Sequence, residues 1–160
     1  MKNYIVLIIS LTIISLTVIS CNEEELNSTL DVGLEFSIVN SNGEDILNPS
    51  HPDCIKESDI KLYYLIDGIK KEVYNPNYDF PRNFRIYEHQ NEFRIGIFQN
   101  HSENEDKPLT YIQWNESETD TIEAAYYRSS NAIIQKKIWL NGDLIWESIN
   151  GTNPYFILTK

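Results

Sequence analysis

Residues 132–147 read AIIQKKIWLNGDLIWE, and this stretch decides the fold. Asn141-Gly142 accepts the two positive φ angles of a type I′ turn, whose twist matches that of the flanking strands. A two-residue turn there predicts four cross-strand pairs: Ile138 with Ile145, Trp139 with Leu144, Lys137 with Trp146, and Lys136 with Glu147. The third pair places the Lys137 ammonium over the Trp146 ring. Because both faces of the hairpin carry apolar residues, we expect it to be central or covered on both sides.

Two more hairpins are predicted upstream by the same turn chemistry, at Asn42-Gly43 and Asp67-Gly68. The first turn predicts pairs between Ile38 and Leu47 and between Val39 and Ile46. The second predicts pairs between Ile66 and Ile69, Tyr64 and Lys71, and Leu62 and Val73. In the second hairpin one face is apolar and the other is mixed, which is typical of a sheet that covers a core on one side.

The whole pattern is that of an all-β domain with about ten short strands separated by turn signals. No segment has a convincing helical period, and Ile122 to Tyr127 comes nearest. We therefore predict an antiparallel β-sandwich, Ig-like or related in architecture, although the Cys…Trp…Cys pattern of immunoglobulin domains is absent. The predicted organisation is a signal peptide at 1–20, an acidic tether at 21–30 and a single β-sandwich domain at 31–160.

The N-terminal segment combines one charge, Lys2, with an apolar run from Tyr4 to Ile19. That length suits a signal peptide better than the alternative, a spanning helix, which needs about 20 residues. Val18-Ile19-Ser20-Cys21 resembles the bacterial lipobox. The resemblance implies that Cys21 becomes the mature N-terminus and carries a diacylglyceryl thioether and an N-acyl chain, palmitate for example. Such an anchor holds a protein on a membrane without a spanning segment.

The residues after the lipobox-like segment also resemble those of a known group of bacterial lipoproteins. Asn22-Glu23-Glu24-Glu25 resembles the acidic export signal of Bacteroidota lipoproteins, which implies display on the outer face of the outer membrane. The chain further resembles small Bacteroidota lipoproteins in the segments 33–36, 42–49 and 60–65. That group has no known activity to carry over, so the resemblance implies localisation and a β-sandwich body only.

The net charge limits the classes of molecule that this chain can bind, and the cysteine content limits its possible disulfides. The net charge is −11, and removal of residues 1–20 takes away only Lys2, which makes it −12. Nucleic acid binding requires a basic patch, so nucleic acid is excluded as a partner. If Cys21 is acylated, Cys54 has no intrachain disulfide partner; the alternative is a Cys21–Cys54 disulfide in an ordinary secreted protein.

No catalytic signature is present. The three histidines, His51, His89 and His101, lie in predicted loops without a second ligand at metal spacing, and phosphate, dinucleotide and hydrolase motifs are missing. We predict a protein that is not an enzyme and has no cofactor and no metal. The acidic loops at 102–106 and 116–120 are interpreted as solubilising charge, with calcium binding as the alternative.

The tryptophans are the remaining candidates for ligand contact. Trp114 and Trp146 are possible ligand-stacking residues, with core packing as the alternative for both. Trp139 is assigned to the core, with ligand stacking as its alternative. The predicted role is non-enzymatic binding at the cell surface, to another envelope protein or an extracellular ligand. The alternative is a carbohydrate-binding accessory module of a glycan-uptake system, and exposed Trp114 and Trp146 rings would favour it.

Overall fold

Eleven strands and one 3₁₀ turn form in residues 28–149 and 153–160, the part of the chain that the computed structural model describes. The strands are β1 Thr29–Asp31, β2 Gly33–Val39, β3 Lys61–Ile66, β4 Ile69–Glu72, β5 Phe84–His89, β6 Glu92–Phe98, β7 Leu109–Gln113, β8 Thr119–Ser129, β9 Ala132–Leu140, β10 Asp143–Glu147 and β11 Tyr155–Thr159, and the 3₁₀ turn is Glu57–Asp59. The all-β prediction is confirmed. The predicted signal peptide, Cys21 and the tether up to residue 27 lie outside the described residues. Within the described ranges, no helix is long and apolar enough to cross a membrane.

The strands form two sheets in a sandwich-like arrangement. One sheet has the order β1-β9-β8-β7-β3-β4, with β10 also paired to β9, and the other has the order β11-β2-β6-β5. The predicted β-sandwich architecture is confirmed, and both sheets are mixed, because two pairs are parallel, β1 with β9 and β11 with β2, whereas the other strand pairs are antiparallel. Local turns force neighbouring strands to be antiparallel, but these two pairs join segments about a hundred residues apart, where no turn sets the direction.

The core lies between the sheets and is built by the alternation of β-strand side chains. In β2, Leu34, Phe36 and Ile38 are buried. The opposing sheet contributes buried residues from four strands: Leu62, Ile112, Ile122 and Ile138. The Phe36 ring stacks on Phe156 of β11 with a centroid distance of 4.7 Å.

The first two predicted hairpins have different outcomes. Asp67 and Gly68 have φ angles of 53° and 73°, and the predicted partners of Ile66 and Tyr64 are confirmed. At Asn42-Gly43, however, Val39 bridges to Asp45 rather than to Ile46, and no second strand forms. The reason is the Asn40 carboxamide, whose oxygen accepts the backbone N–H groups of residues 42 and 44 and stabilises a longer turn.

The hairpin at 132–147 forms, but its register changes after the first pairs. Asn141 and Gly142 have φ angles of 52° and 91°, and Trp139 pairs with Leu144 as predicted. A bulge then follows Leu144, so the three other predicted pairs are wrong: Trp146 lies opposite Ile138, and Glu147 lies opposite Lys137. The Lys137 ammonium therefore binds the Glu147 carboxylate at 2.8 Å instead of covering a tryptophan.

Candidate functional site

An open groove of about 580 Å³ lies beside the loop at 75–83. Its walls come from β1, from that loop, from the end of β6 and from the loop after β6. We call it the Tyr78 groove, and it is lined by Leu30, Val32, Asn77, Tyr78, Asp79, Phe80, Asn83, Phe98 and His101. The groove thus combines aromatic rings with amide, carboxylate and imidazole groups.

Exposed apolar side chains are concentrated at this groove. Leu30 is 59% exposed, Tyr78 57% and Phe98 45%. These are three of the nine large apolar side chains that are exposed in the described part of the chain. Scattered apolar residues are normal on a surface, but several around one concavity are typical of a binding site.

The loop that carries Tyr78 is fixed by hydrogen bonds at both ends. The Asn75 N–H donates to the Pro81 carbonyl at 2.7 Å, and the Tyr78 N–H donates to the Asn75 carbonyl at 3.2 Å. Asn83 has a left-handed φ of 55°, a conformation that asparagine tolerates better than most residues. The groove wall is therefore held in place before any ligand arrives, which lowers the entropic cost of binding.

A half-buried phenol joins two walls of the groove. The Tyr64 hydroxyl donates to the Phe98 carbonyl at 2.7 Å and accepts from the Asn83 carboxamide at 3.0 Å. Burial raises the pKa of Tyr64 to about 12, although the hydrogen bond from Asn83 acts in the opposite direction. The phenol therefore stays protonated at neutral pH and keeps donating to Phe98.

The loop that carries His101 is fastened in the same way. The Arg128 guanidinium donates to the carbonyls of His101 at 3.1 Å and Ser102 at 2.9 Å. The Tyr126 hydroxyl donates to the Asn100 carbonyl at 3.0 Å, and burial raises the pKa of this phenol. These contacts fix the backbone of the loop, and the Nδ1 atom of the His101 imidazole lies 3.1 Å from the Gln99 carbonyl oxygen.

A buried amide network attaches β1, and with it Leu30, to both sheets. The Gln99 carboxamide donates to the Gln135 carboxamide oxygen at 2.9 Å. Gln135 in turn donates to the Asp31 carboxylate at 2.9 Å and to the Gly33 carbonyl at 2.6 Å. Both glutamines are at most 1% exposed. Water cannot reach their amide groups, so these groups depend on hydrogen bonds within the protein.

Replacement of Gln135 by leucine is expected to lower the free energy of unfolding by about 1–3 kcal/mol, because the buried amide of Gln99 loses its nearer acceptor and the Asp31 carboxylate and Gly33 carbonyl lose a donor. Urea unfolding followed by tryptophan fluorescence measures it. Gln113→Leu is the matched control, since Gln113 is half-buried on β7. Equal losses in the two variants would contradict a role for the network.

The structure places the predicted stacking residues away from the groove. Trp114 is 2% exposed and its indole N–H donates to Asp120 at 2.7 Å, so this ring is not available for ligand stacking. Trp146 is half-buried and packs against the core, because the bulge after Leu144 turns it inward. Trp139, which was assigned to the core, lies on the outer sheet face with the Lys107 ammonium 4.0 Å from its ring centroid.

The acidic loop at 116–120 is occupied by internal contacts. Lys160 forms ion pairs with Glu118 at 2.5 Å and Asp120 at 2.8 Å. Asn115 accepts the N–H groups of Ser117 and Glu118 and so closes the turn. Among residues 28–149 and 153–160, no cluster of three or more histidine, cysteine, aspartate or glutamate side chains is placed to hold a metal ion.

Three other candidate side chains, Cys54, His51 and His89, do not line the groove. Cys54 is half-buried with a free thiol, and Cys21 lies outside the described residues. The His51 imidazole lies 3.5 Å from the Glu44 carboxylate. Only His101 of the three histidines lines the Tyr78 groove.

The aromatic residues that line the groove were not among those predicted from the sequence to contact a ligand. Tyr78 and Phe80 stand in a loop bracketed by Pro76 and Pro81, between two predicted hairpins. Aromatic residues are favoured in strands, so two of them in a proline-bracketed loop are the signal that predicts an exposed contact surface.

Comparison with family models, with curated proteins and with solved structures finds no match to this chain.

Proposed function

We propose that this protein is a lipid-anchored, non-enzymatic binding protein of the outer membrane surface, and that its ligand binds in the Tyr78 groove. One observation carries the proposal: exposed apolar side chains and hydrogen-bonding groups converge on one preformed concavity. The resemblance of 18–21 to a lipobox supports the anchor, and the acidic residues after it support surface display.

The position of the groove suits a receptor held close to a membrane. Leu30 belongs to β1, which begins eight positions after Cys21, two residues earlier than the predicted start of the domain. A chain of that length spans at most about 30 Å when fully extended. A lipidated Cys21 therefore keeps the groove within a short distance of the membrane.

The groups in the groove are suited to binding. Phenyl and phenol rings supply contact area at a low entropic cost, and amides supply directional hydrogen bonds. The volume of about 580 Å³ falls within the ordinary range of about 300–1,000 Å³ for small-ligand sites. The chemistry therefore favours a small ligand or the end of a polymer.

A glycan is the second, narrower candidate, and the composition of the groove favours it. Tyr78, Phe80 and Phe98 offer rings for the apolar faces of a sugar, while Asn77 and Asp79 offer partners for its hydroxyl groups. Among the described residues that line the groove, Asp79 is the only acid, and the chain has a net charge of −11. We therefore favour neutral or cationic saccharides over anionic ones.

Replacement of Tyr78 by alanine is expected to weaken ligand binding at least about tenfold, which corresponds to about 1.4 kcal/mol, because it removes a wall of the groove. A glycan array followed by calorimetric titration of the best neutral oligosaccharide measures the change. Tyr127→Ala is the matched control, since Tyr127 is 53% exposed on β8 and does not line the groove.

Binding that Tyr78→Ala and Tyr127→Ala weaken equally would place the ligand elsewhere and overturn the assignment of the groove. An array without any binder would remove the glycan candidate. The lipid anchor is tested by a different variant, Cys21→Ser, so the ligand site and the anchor can be confirmed or rejected independently.

A further inference from the structure

The edge of the second sheet at β11 differs from the other sheet edges of the described chain. β4 carries Lys70, Lys71 and Glu72, and β5 carries Arg85 and Glu88. On the remaining edge, β10 begins with an aspartate and ends with a glutamate, and β1 has only three residues. Charges and short strands of this kind prevent strands of other molecules from adding to an edge. β11 reads YFILT and carries no charge.

The backbone of β11 presents hydrogen-bonding groups to this open side. The Lys160 N–H donates to Val39 of β2 at 2.9 Å, and the Pro154 carbonyl accepts from Glu35 of β2 at 3.4 Å. Backbone groups alternate in direction along a strand, so Tyr155, Ile157 and Thr159 direct their N–H and C=O groups away from β2. β11 ends the strand order of its sheet, and no described strand pairs with that side.

We propose that β11 pairs antiparallel with β11 of a second copy of this chain, centred on Ile157. Such pairing adds about six backbone hydrogen bonds and joins the two four-stranded sheets into one continuous sheet. It is a two-fold, self-complementary contact, the commonest symmetry among soluble oligomers. We infer that the partner strand belongs to a second copy of the chain, because this register places side chains of compatible character opposite one another on both faces of the sheet.

On the outer face, Ile157 lies opposite its own copy, and Tyr155 lies opposite Thr159. Ile157 is 58% exposed in the single chain, so the contact removes apolar surface from water. On the inner face, Phe156 lies opposite Leu158. Both side chains pack against the core but remain half-buried, and the partner strand covers their open sides. No two like charges meet in this register.

The charge of the chain gives the contact a distinctive dependence on salt. Two molecules with a net charge of −11 each repel one another, although the β11 edge itself is neutral. Salt screens this repulsion, so the dimer is expected to become tighter as ionic strength rises from about 0.05 to 0.5 M. A dimer held by ion pairs would become weaker.

The test compares two isoleucines on opposite sheets. The full chain is purified in mild detergent, and its mass is measured by light scattering and sedimentation. Ile157→Lys is expected to convert the dimer to a monomer, with the apparent dissociation constant raised at least about a hundredfold. Ile69→Lys is the matched control: Ile69 is 60% exposed and lies on the charged β4 edge. Its replacement is expected to leave the dimer intact.

Cross-linking places the contact directly and does not depend on a disrupting variant. In a Cys54→Ser background, Ile157→Cys is expected to give a covalent dimer with a short bismaleimide in membranes. Lys71→Cys on β4 measures the cross-linking that results from random collisions between anchored chains. Its yield of cross-linked dimer is expected to be at least about tenfold lower. A monomer at all concentrations and salt levels, or equal yields at the two positions, would overturn the proposal.

Discussion

Replacement of Asp120 by alanine is expected to lower the free energy of unfolding by about 2–4 kcal/mol, because three donors lose their shared carboxylate acceptor while Lys160 keeps its ion pair with Glu118. Asp120 is 8% exposed and its carboxylate accepts three hydrogen bonds. One oxygen accepts from the Trp114 indole at 2.7 Å and from the Lys160 ammonium at 2.8 Å, and the other accepts from Asn141 at 2.9 Å. Alanine leaves all three donors without this acceptor.

The effect is large because this carboxylate connects the two sheets. Asp120 belongs to β8 of the first sheet, and Lys160 follows β11 of the second, where its N–H donates to Val39. Trp114 makes an edge contact with Phe36 of β2, at a centroid distance of 6.1 Å. Loss of the carboxylate therefore loosens the packing of the sandwich as well as one ion pair.

The dependence on pH gives a second readout of the same contact. Burial opposes ionisation of Asp120, but hydrogen bonds from Lys160, Asn141 and Trp114 outweigh it and hold the pKa of the carboxyl below its ordinary value of 3.8. A group whose folded pKa is depressed stabilises the protein above its unfolded pKa and loses that contribution as pH falls through its folded pKa. The stability gap between wild type and Asp120→Asn should therefore be constant above about pH 5 and close as the pH falls below 3.8.

Thermal and urea unfolding measure both effects. Glu123→Ala is the control, because Glu123 lies on the same strand, is half-buried and has no side-chain hydrogen bond or ion pair within the described part of the chain. Its replacement should change stability by no more than about 0.5 kcal/mol. A loss of less than about 1 kcal/mol for Asp120→Ala, or a gap from wild type that does not change with pH, would contradict the role assigned to this carboxylate.

Local turn chemistry made much of this fold predictable. Asp67-Gly68 and Asn141-Gly142 encode their conformation within two residues, and the strands beside them follow. The bulge after Leu144, which turns the Trp146 ring toward the core, was not predictable in this way, because the two turn residues do not specify the register beyond the first pairs. The parallel pairs of β1 with β9 and of β2 with β11 are set by long-range docking, for which no short pattern exists.

The candidate site was less predictable than the fold. Trp114 and Trp146 were predicted to stack on a ligand because tryptophan is common in binding sites. The sequence does not show, however, which face of the sheet a side chain occupies after a bulge or a turn. Trp114 illustrates this, since a nearby acid, Asp120, satisfies its indole N–H and allows full burial. The groove is formed by Leu30, Tyr78 and Phe98, which are far apart in the chain and meet only through tertiary structure.

Replacement of Cys21 by serine is expected to move the protein from the membrane fraction to the soluble fraction and to abolish incorporation of labelled palmitate. Each buried methylene of an acyl chain contributes about 0.8 kcal/mol to membrane binding, and stable anchoring takes two signals or more, so loss of a multiply acylated cysteine removes the anchor completely. An uncleaved apolar segment would itself hold the chain in a membrane. The variant is therefore made with a cleavable secretory signal that ends in an Ala-x-Ala site in place of residues 1–20.

The control for this experiment is Cys54→Ser with the original N-terminus, because Cys54 is the other cysteine of the chain, is half-buried and stands outside the lipobox-like segment. That variant should remain in the membrane fraction and keep its label. Protease added to intact cells should digest the wild-type protein if the acidic segment after Cys21 directs it to the surface. A Cys21→Ser protein that stays bound to membranes after signal cleavage would contradict the anchor, and the Tyr78 groove would then belong to a protein held at the membrane by other means.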